Sequence, residues 1–180
     1  YRLVLGLGVD ENSLEGKQIL LELSEKNDHT AMLMLAQMHI LGYGLEFNQS
    51  EGEKWLLESF FHGNEDAADL LMDYLFDVKH DSVEAEKLFR EASAKGNKAA
   101  KRVLGHRLLT GKGLSVNTQE GEKLLSLAAD SGDVDAYMLL GLGLLSEEGI
   151  SSIRIKRAMR FVEKAALEGS IRGMFMYGII

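Results

Sequence analysis

The chain has 180 residues, 46% of them hydrophobic and 27% charged, a balance that folds and stays outside the disordered range. Twenty basic residues against 28 acidic ones give a net charge of −8, which argues against nucleic acid or an anionic membrane as the main partner. The absence of cysteine excludes disulfides, thiolate metal sites and Cys nucleophiles. The absence of proline leaves punctuation to 19 glycines.

In chain order, five stretches repeat one pattern. A small residue stands eleven positions before a Gly or Asn that ends a helical run: Gly16/Asn27, Gly52/Gly63, Ala85/Gly96, Gly121/Gly132 and Ala158/Gly169. Successive terminators lie 36, 33, 36 and 37 residues apart, the period of a helical solenoid. Three, four, seven and eight positions after each small residue the side chains are apolar or small, as in Trp55, Leu56, Ser59 and Phe60, or Leu124, Leu125, Ala128 and Ala129. That spacing is one face of an α-helix. Asn or Asp with Glu three residues later marks the helix starts at Asn12/Glu15, Asn48/Glu51, Asp81/Glu84 and Asn117/Glu120, as in a capping box. In the last unit Arg154 occupies the cap position. The terminators suit the left-handed backbone that follows a helix.

Beyond each terminator the first helix of a pair is predicted, with small residues Ala31, Ala67, Ala100, Ala136 and Gly173 four positions on. It leads into glycine-rich turns: Gly6-Leu7-Gly8-Val9, Gly42-Tyr43-Gly44-Leu45, Gly111-Lys112-Gly113-Leu114 and Glu148-Gly149-Ile150. The third unit lacks these glycines and is three residues shorter, through Asp77-Val78-Lys79-His80-Asp81.

An Ala, then Leu-Gly, then Gly-x-Gly-apolar, then a helix ending Ala-x-x-Gly, resembles the Sel-1-like repeat, a relative of the tetratricopeptide repeat with a longer loop. The resemblance covers almost the whole chain and is weakest in unit three, where Met72 breaks the Leu-Gly pair. It implies an all-α fold, an α/α superhelical solenoid of antiparallel helix pairs wound right-handed, with first helices on the concave surface. The predicted organisation is one repeat domain over 1–180: a partial unit 1–27, units 28–63, 64–96, 97–132 and 133–169, and a partial unit 170–180. Both ends fall inside helices, at Tyr1 and at Met174 to Ile180, which reads as a window on a longer array. A bare apolar end would favour end-to-end association.

Chemistry has little purchase. His29, His39, His62, His80 and His106 show no ligand spacing, so no metal and no cofactor are expected. His39 reads as packed and His80 as solvated. The Gly-x-Gly pairs follow helices and lack the Lys-Ser/Thr of a phosphate loop. One constellation stands out: Asp66, Asp69, Asp73 and Asp77, at helical spacing on the first helix of unit three. On the concave face this acidic stripe would neighbour Arg102 and His106 of the next unit, with Leu33, Gln37 and Ile40 before it and Met138 and Leu142 beyond.

The expected function is therefore non-catalytic: binding a protein or peptide of basic and apolar character along this groove, through Leu33, Gln37, Ile40, Asp66, Asp69, Asp73, Asp77, Arg102, His106, Met138 and Leu142, and so scaffolding a complex. Leu33, Ile40, Met138 and Leu142 are read as exposed anchors. Other readings stay open. Arg102 and His106 can simply pair with Asp69 and Asp73, the stripe can be a solvated face, and the apolar residues can pack on the next repeat. The chain can self-assemble through its ends, as a monomer or weak homo-oligomer, or use Asp69 and Asp73 for acid–base chemistry. No apolar run approaches the roughly 18 residues of a membrane span. The resemblance implies adaptor roles in bacterial envelope or secretion-linked systems and in eukaryotic secretory-pathway quality control; compartment stays open.

Overall fold

A computed structural model describes residues 13–145 and 151–179. The predicted Asn12 cap, the Gly6-x-Gly8 turn, the Glu148-Gly149-Ile150 turn and the opening helix at Tyr1 lie outside the described residues. Within them the chain is helical: α1 Ser13–Glu25, α2 His29–Leu41, α3 Gln49–Phe61, α4 Glu65–Asp73, a π-helical turn Tyr74–Val78, α5 Ser82–Ala94, α6 Lys98–Thr110, α7 Thr118–Asp130, α8 Val134–Leu145, α9 Ser152–Leu167 and α10 Ile171–Ile179. No strand occurs among the described residues. Two compact units form, Tyr1–Tyr74 and Leu75–Ile180. In the first, α2 packs on α1 and α3, and α3 on α4. In the second, each helix from α5 to α10 packs on its successor, and α6 meets α8 as α8 meets α10. The even-numbered helices are therefore the first helices of the repeats, and in the second unit they stack on one another.

One device turns every second helix into the next first helix. The terminators Asn27, Gly63, Gly96, Gly132 and Gly169 all have positive φ, from 63° to 96°. Around them the chain closes two backbone bonds, as in Gly63 N–H to Phe60 C=O (3.1 Å) and Asn64 N–H to Ser59 C=O (3.1 Å). This is the Schellman arrangement, which satisfies carbonyls the helix end would orphan. The residue after the terminator then caps the following helix with its side chain. Asp28 accepts from Thr30 and Ala31, Asn64 from Ala67, Asn97 from Ala100, Asp133 from Ala136, and Ser170 from Gly173, at 2.9–3.2 Å.

The predicted starts of α3, α5 and α7 hold: Asn48, Asp81 and Asn117 accept from the N–H groups of Glu51, Glu84 and Glu120. The fifth start differs. Ser151, not Arg154, caps α9, accepting the Arg154 N–H at 3.3 Å. A serine hydroxyl can accept that bond, whereas a guanidinium only donates, and α9 gains three residues at its start.

The turns inside each repeat share a closing bond. Asn48 N–H donates to His39 C=O (3.0 Å), and Asn117 N–H to Leu108 C=O (2.8 Å). Unit three makes the same bond, Asp81 N–H to Leu75 C=O at 3.0 Å, with three fewer residues. Its helix widens into the π-helical turn to do so, and His80 takes the left-handed backbone (φ 54°) that glycines hold elsewhere. Asp77 lies in that turn, where a 3.6-residue period no longer applies.

The small residues serve close packing as predicted. A Cβ on Gly105 would stand 3.0 Å from Gly121 O, and one on Gly121 2.8 Å from Gly105 O, so α6 and α7 meet backbone to backbone. Around such contacts lie the buried cores: Leu20, Ala31, Leu35 and Met38 in the first unit, and Leu125, Ala128, Ala136, Met138, Leu140 and Ala165 in the second. Each fully buried Leu contributes about 1.5–3 kcal/mol relative to exposure.

Candidate interaction surface

Counting from each terminator, the predicted groove residues fall on two registers of the first helices. The sixth position holds Leu33, Asp69, Arg102 and Met138; the tenth holds Gln37, Asp73, His106 and Leu142. The tenth stays open to water, half-buried in Gln37, Asp73 and His106 and exposed in Leu142. The sixth is mostly closed: Leu33, Arg102 and Met138 are all buried, whereas Asp69 is exposed.

Two of the four expected apolar anchors, Leu33 and Met138, are thereby corrected, and a third, Ile40, is only partly accessible. Leu33 is buried, Met138 belongs to the core cluster of the second unit, and Ile40 is half-buried. The reason is geometric, because a first helix has neighbours on both sides and only a narrow strip reaches solvent. Ile40 fills the seam between α2 and α3, its Cγ1 only 2.5 Å from where a Cβ on Gly52 would stand. Leu142 alone is exposed, at 37%.

Arg102 is corrected too. It is not a cation presented to a groove, because its buried Nε donates to Asp133 Oδ2 at 3.0 Å. Asp133 is itself buried and uses Oδ1 to cap α8. One carboxylate thus joins two consecutive first helices. The acidic stripe is shorter than predicted: Asp66 and Asp69 are exposed and Asp73 half-buried on α4, while exposed Asp77 sits beyond the helix.

The structure adds residues that the sequence reading missed. Met138 and Leu142 of α8 form, with Ile171, Phe175 and Met176 of α10, an apolar groove of about 480 Å³. Ile171 is 84% exposed and Phe175 69%. Phe175 stands at the sixth position after Gly169, so extending the register into the final partial unit would have found it.

The second helices carry a different chemistry. Arg90 of α5 holds Glu86 at 2.8 Å and grips the Glu120 carboxylate of α7 with both terminal nitrogens. The hydrogen bond from Arg90 lowers the Glu120 pKa, and the same bond raises that of Arg90. Arg157 of α9 donates to Glu122 of α7 at 3.0 Å. No group of three or more His, Asp or Glu side chains is placed to hold a metal ion among the described residues. Among them, no helix is long and apolar enough to cross a membrane.

Helix pairs closed by a Schellman turn and capped in both directions, and in the second unit stacked first helix on first helix, define an α/α repeat protein. Within that class the chain belongs to the Sel1 repeat family, whose pattern matches residues 29–59, 68–97, 99–133 and 134–170. Among solved structures it is similar to a Sel1 repeat protein from Oxalobacter formigenes, with 23% identity, a TM-score of 0.63, and 97% of this chain and 72% of that one covered. It is also similar to c5321, a protective antigen of uropathogenic Escherichia coli displaying an SLR fold, with 24% identity, a TM-score of 0.64, and 99% of this chain covered. The chain spans 38% of that longer protein. No curated protein gives a significant match. Sel1 repeats are a protein-interaction module type, generally non-catalytic.

Proposed function

We propose that this chain binds a protein or peptide segment along the solvent-facing strip of its first helices and so scaffolds a complex. The observation that carries this reading is the apolar groove between α8 and α10. Phe175 and Ile171 stand largely in water beside Leu142 in one apolar groove, the kind of surface that takes up a partner. Half-buried Met176 gives the groove an adaptable wall.

The test is a paired substitution. Leu142→Asp with Phe175→Ser leaves helicity intact and removes the bound partner, whereas Leu127→Asp, at an exposed site on second helix α7, leaves binding unchanged. Retained binding in the groove variant overturns the reading. A second reading rests on α10, where Ile171, Met174, Phe175 and Tyr177 are all exposed: a second copy of this chain covers that face. Sedimentation of the purified chain separates the two, since self-association needs no other protein.

A further inference from the structure

A pocket on the turn side of the first unit, away from the first-helix strip, carries a more specific inference. It has a volume of about 390 Å³. Its lining includes Lys17 and Leu21 of α1, His39 at the end of α2, Glu46 of the following turn, and Glu51 and Trp55 of α3. The repeat places the same register once more in the second unit, as a smaller pocket of about 260 Å³ with Glu86, Arg90, Leu108, Ser115 and Glu120. Lys17 corresponds to Glu86, Leu21 to Arg90, His39 to Leu108, Glu46 to Ser115, and Glu51 to Glu120.

The second pocket shows what its carboxylate takes: Glu120 is gripped by the guanidinium of Arg90, supplied from the preceding second helix. In the first pocket Leu21 stands in place of Arg90, and no arginine is among the described lining residues. Three other substitutions in the register add groups that suit such a ligand. Glu46 brings a second carboxylate. Trp55 lies four residues after Glu51 on the same face of α3, and its indole already takes the ammonium of Lys54 at 5.7 Å from the ring centroid. His39 is only 8% exposed, and its Nδ1 lies 3.4 Å from the Glu46 carbonyl. A carbonyl only accepts, so Nδ1 donates. Among the described lining residues Lys17 is the one cation, against the carboxylates of Glu46 and Glu51.

We propose that this pocket binds the guanidinium of an arginine supplied by another molecule, in the place that Arg90 fills from within the chain in the second unit. A planar five-donor fork matches carboxylates in two-point contact and stacks on an indole, and its methylene stem suits the wall at Leu21. A lysine ammonium offers neither the fork nor the stacking.

Trp55 is the only tryptophan, so its fluorescence reports on this pocket alone. The intact chain is titrated with N-acetyl-L-arginine amide, and with N-acetyl-L-lysine amide as control. The expected result is saturation with a Kd on the order of 1 mM, with the lysine compound at least about tenfold weaker. Glu51→Gln weakens arginine binding about tenfold, the loss of one charged two-point contact. Leu21→Arg, which restores the internal guanidinium, abolishes it with the helical circular dichroism unchanged. A response that does not saturate, equal binding of the lysine amide, or unaltered binding in Glu51→Gln overturns the proposal. So does wild-type binding in a folded Leu21→Arg. Tighter binding of the capped amide than of free L-arginine assigns the site to arginine on a protein chain, and the reverse order assigns it to the free amino acid. Phe175→Ser leaves this titration unchanged, so its outcome is independent of the groove on the first helices.

Discussion

Asp133 bears more structural weight than its place in a turn suggests. Its two carboxylate oxygens cap α8 and neutralise the buried Arg102 of α6, so one side chain joins two repeats. Removing one partner of a buried ion pair leaves an uncompensated charge, a loss of about 3–5 kcal/mol, to which the lost cap adds about 1 kcal/mol. Denaturant unfolding of Asp133→Ala should show a loss of that order, with Asp133→Asn milder because its amide oxygen still caps. A cost below about 1 kcal/mol for Asp133→Ala would mean that the pair is solvated. Sequence reading placed Arg102 on the groove because helical spacing identifies a face but not a neighbour. The ion pair spans two repeats, and nothing local to Arg102 signals it.

At the scale of elements the sequence was far more legible, because helix ends are local chemistry. The five terminators adopt positive φ, and the caps of α3, α5 and α7 fall where Asn or Asp precedes Glu by three. Two features escaped. The residue just after each terminator caps the next helix, a signal present as Asp28, Asn64, Asn97, Asp133 and Ser170. The π-helical turn at Tyr74–Val78 follows from a closing bond made with a shorter turn, which periodicity does not reveal. The ion pair between second helices gives a pH prediction. Arg90 holds the Glu120 pKa below its unfolded value of 4.5, so the contribution is present above that value and lost as pH falls through the folded one. Arg90 and Glu120 are both partly exposed, 42% and 31% of their side chains, which limits the effect to less than about 1 kcal/mol. Thermal unfolding should separate wild type from Glu120→Gln near about pH 7 and bring the two together below about pH 3. A difference that persists at the acid end would assign the effect to packing.

For the molecule as a whole, the repeat told more about fold than about site. Periodicity settled helix order and register, yet the groove depended on which registers neighbouring helices leave open. The sixth position closes at Leu33, Arg102 and Met138, and the tenth stays accessible. That distinction moves the candidate surface of the second unit toward Leu142, Ile171 and Phe175, with half-buried His106 on the same register, and leaves Gln37, Asp66, Asp69 and Asp73 as accessible side chains of the first unit. The most direct measurement places a photo-crosslinking residue at 142 and, separately, at 127, in cells of the source organism. The account predicts a discrete protein adduct from position 142 that is absent from position 127 and lost with Phe175→Ser. Equal labelling from both positions, or an adduct unaffected by Phe175→Ser, would contradict it.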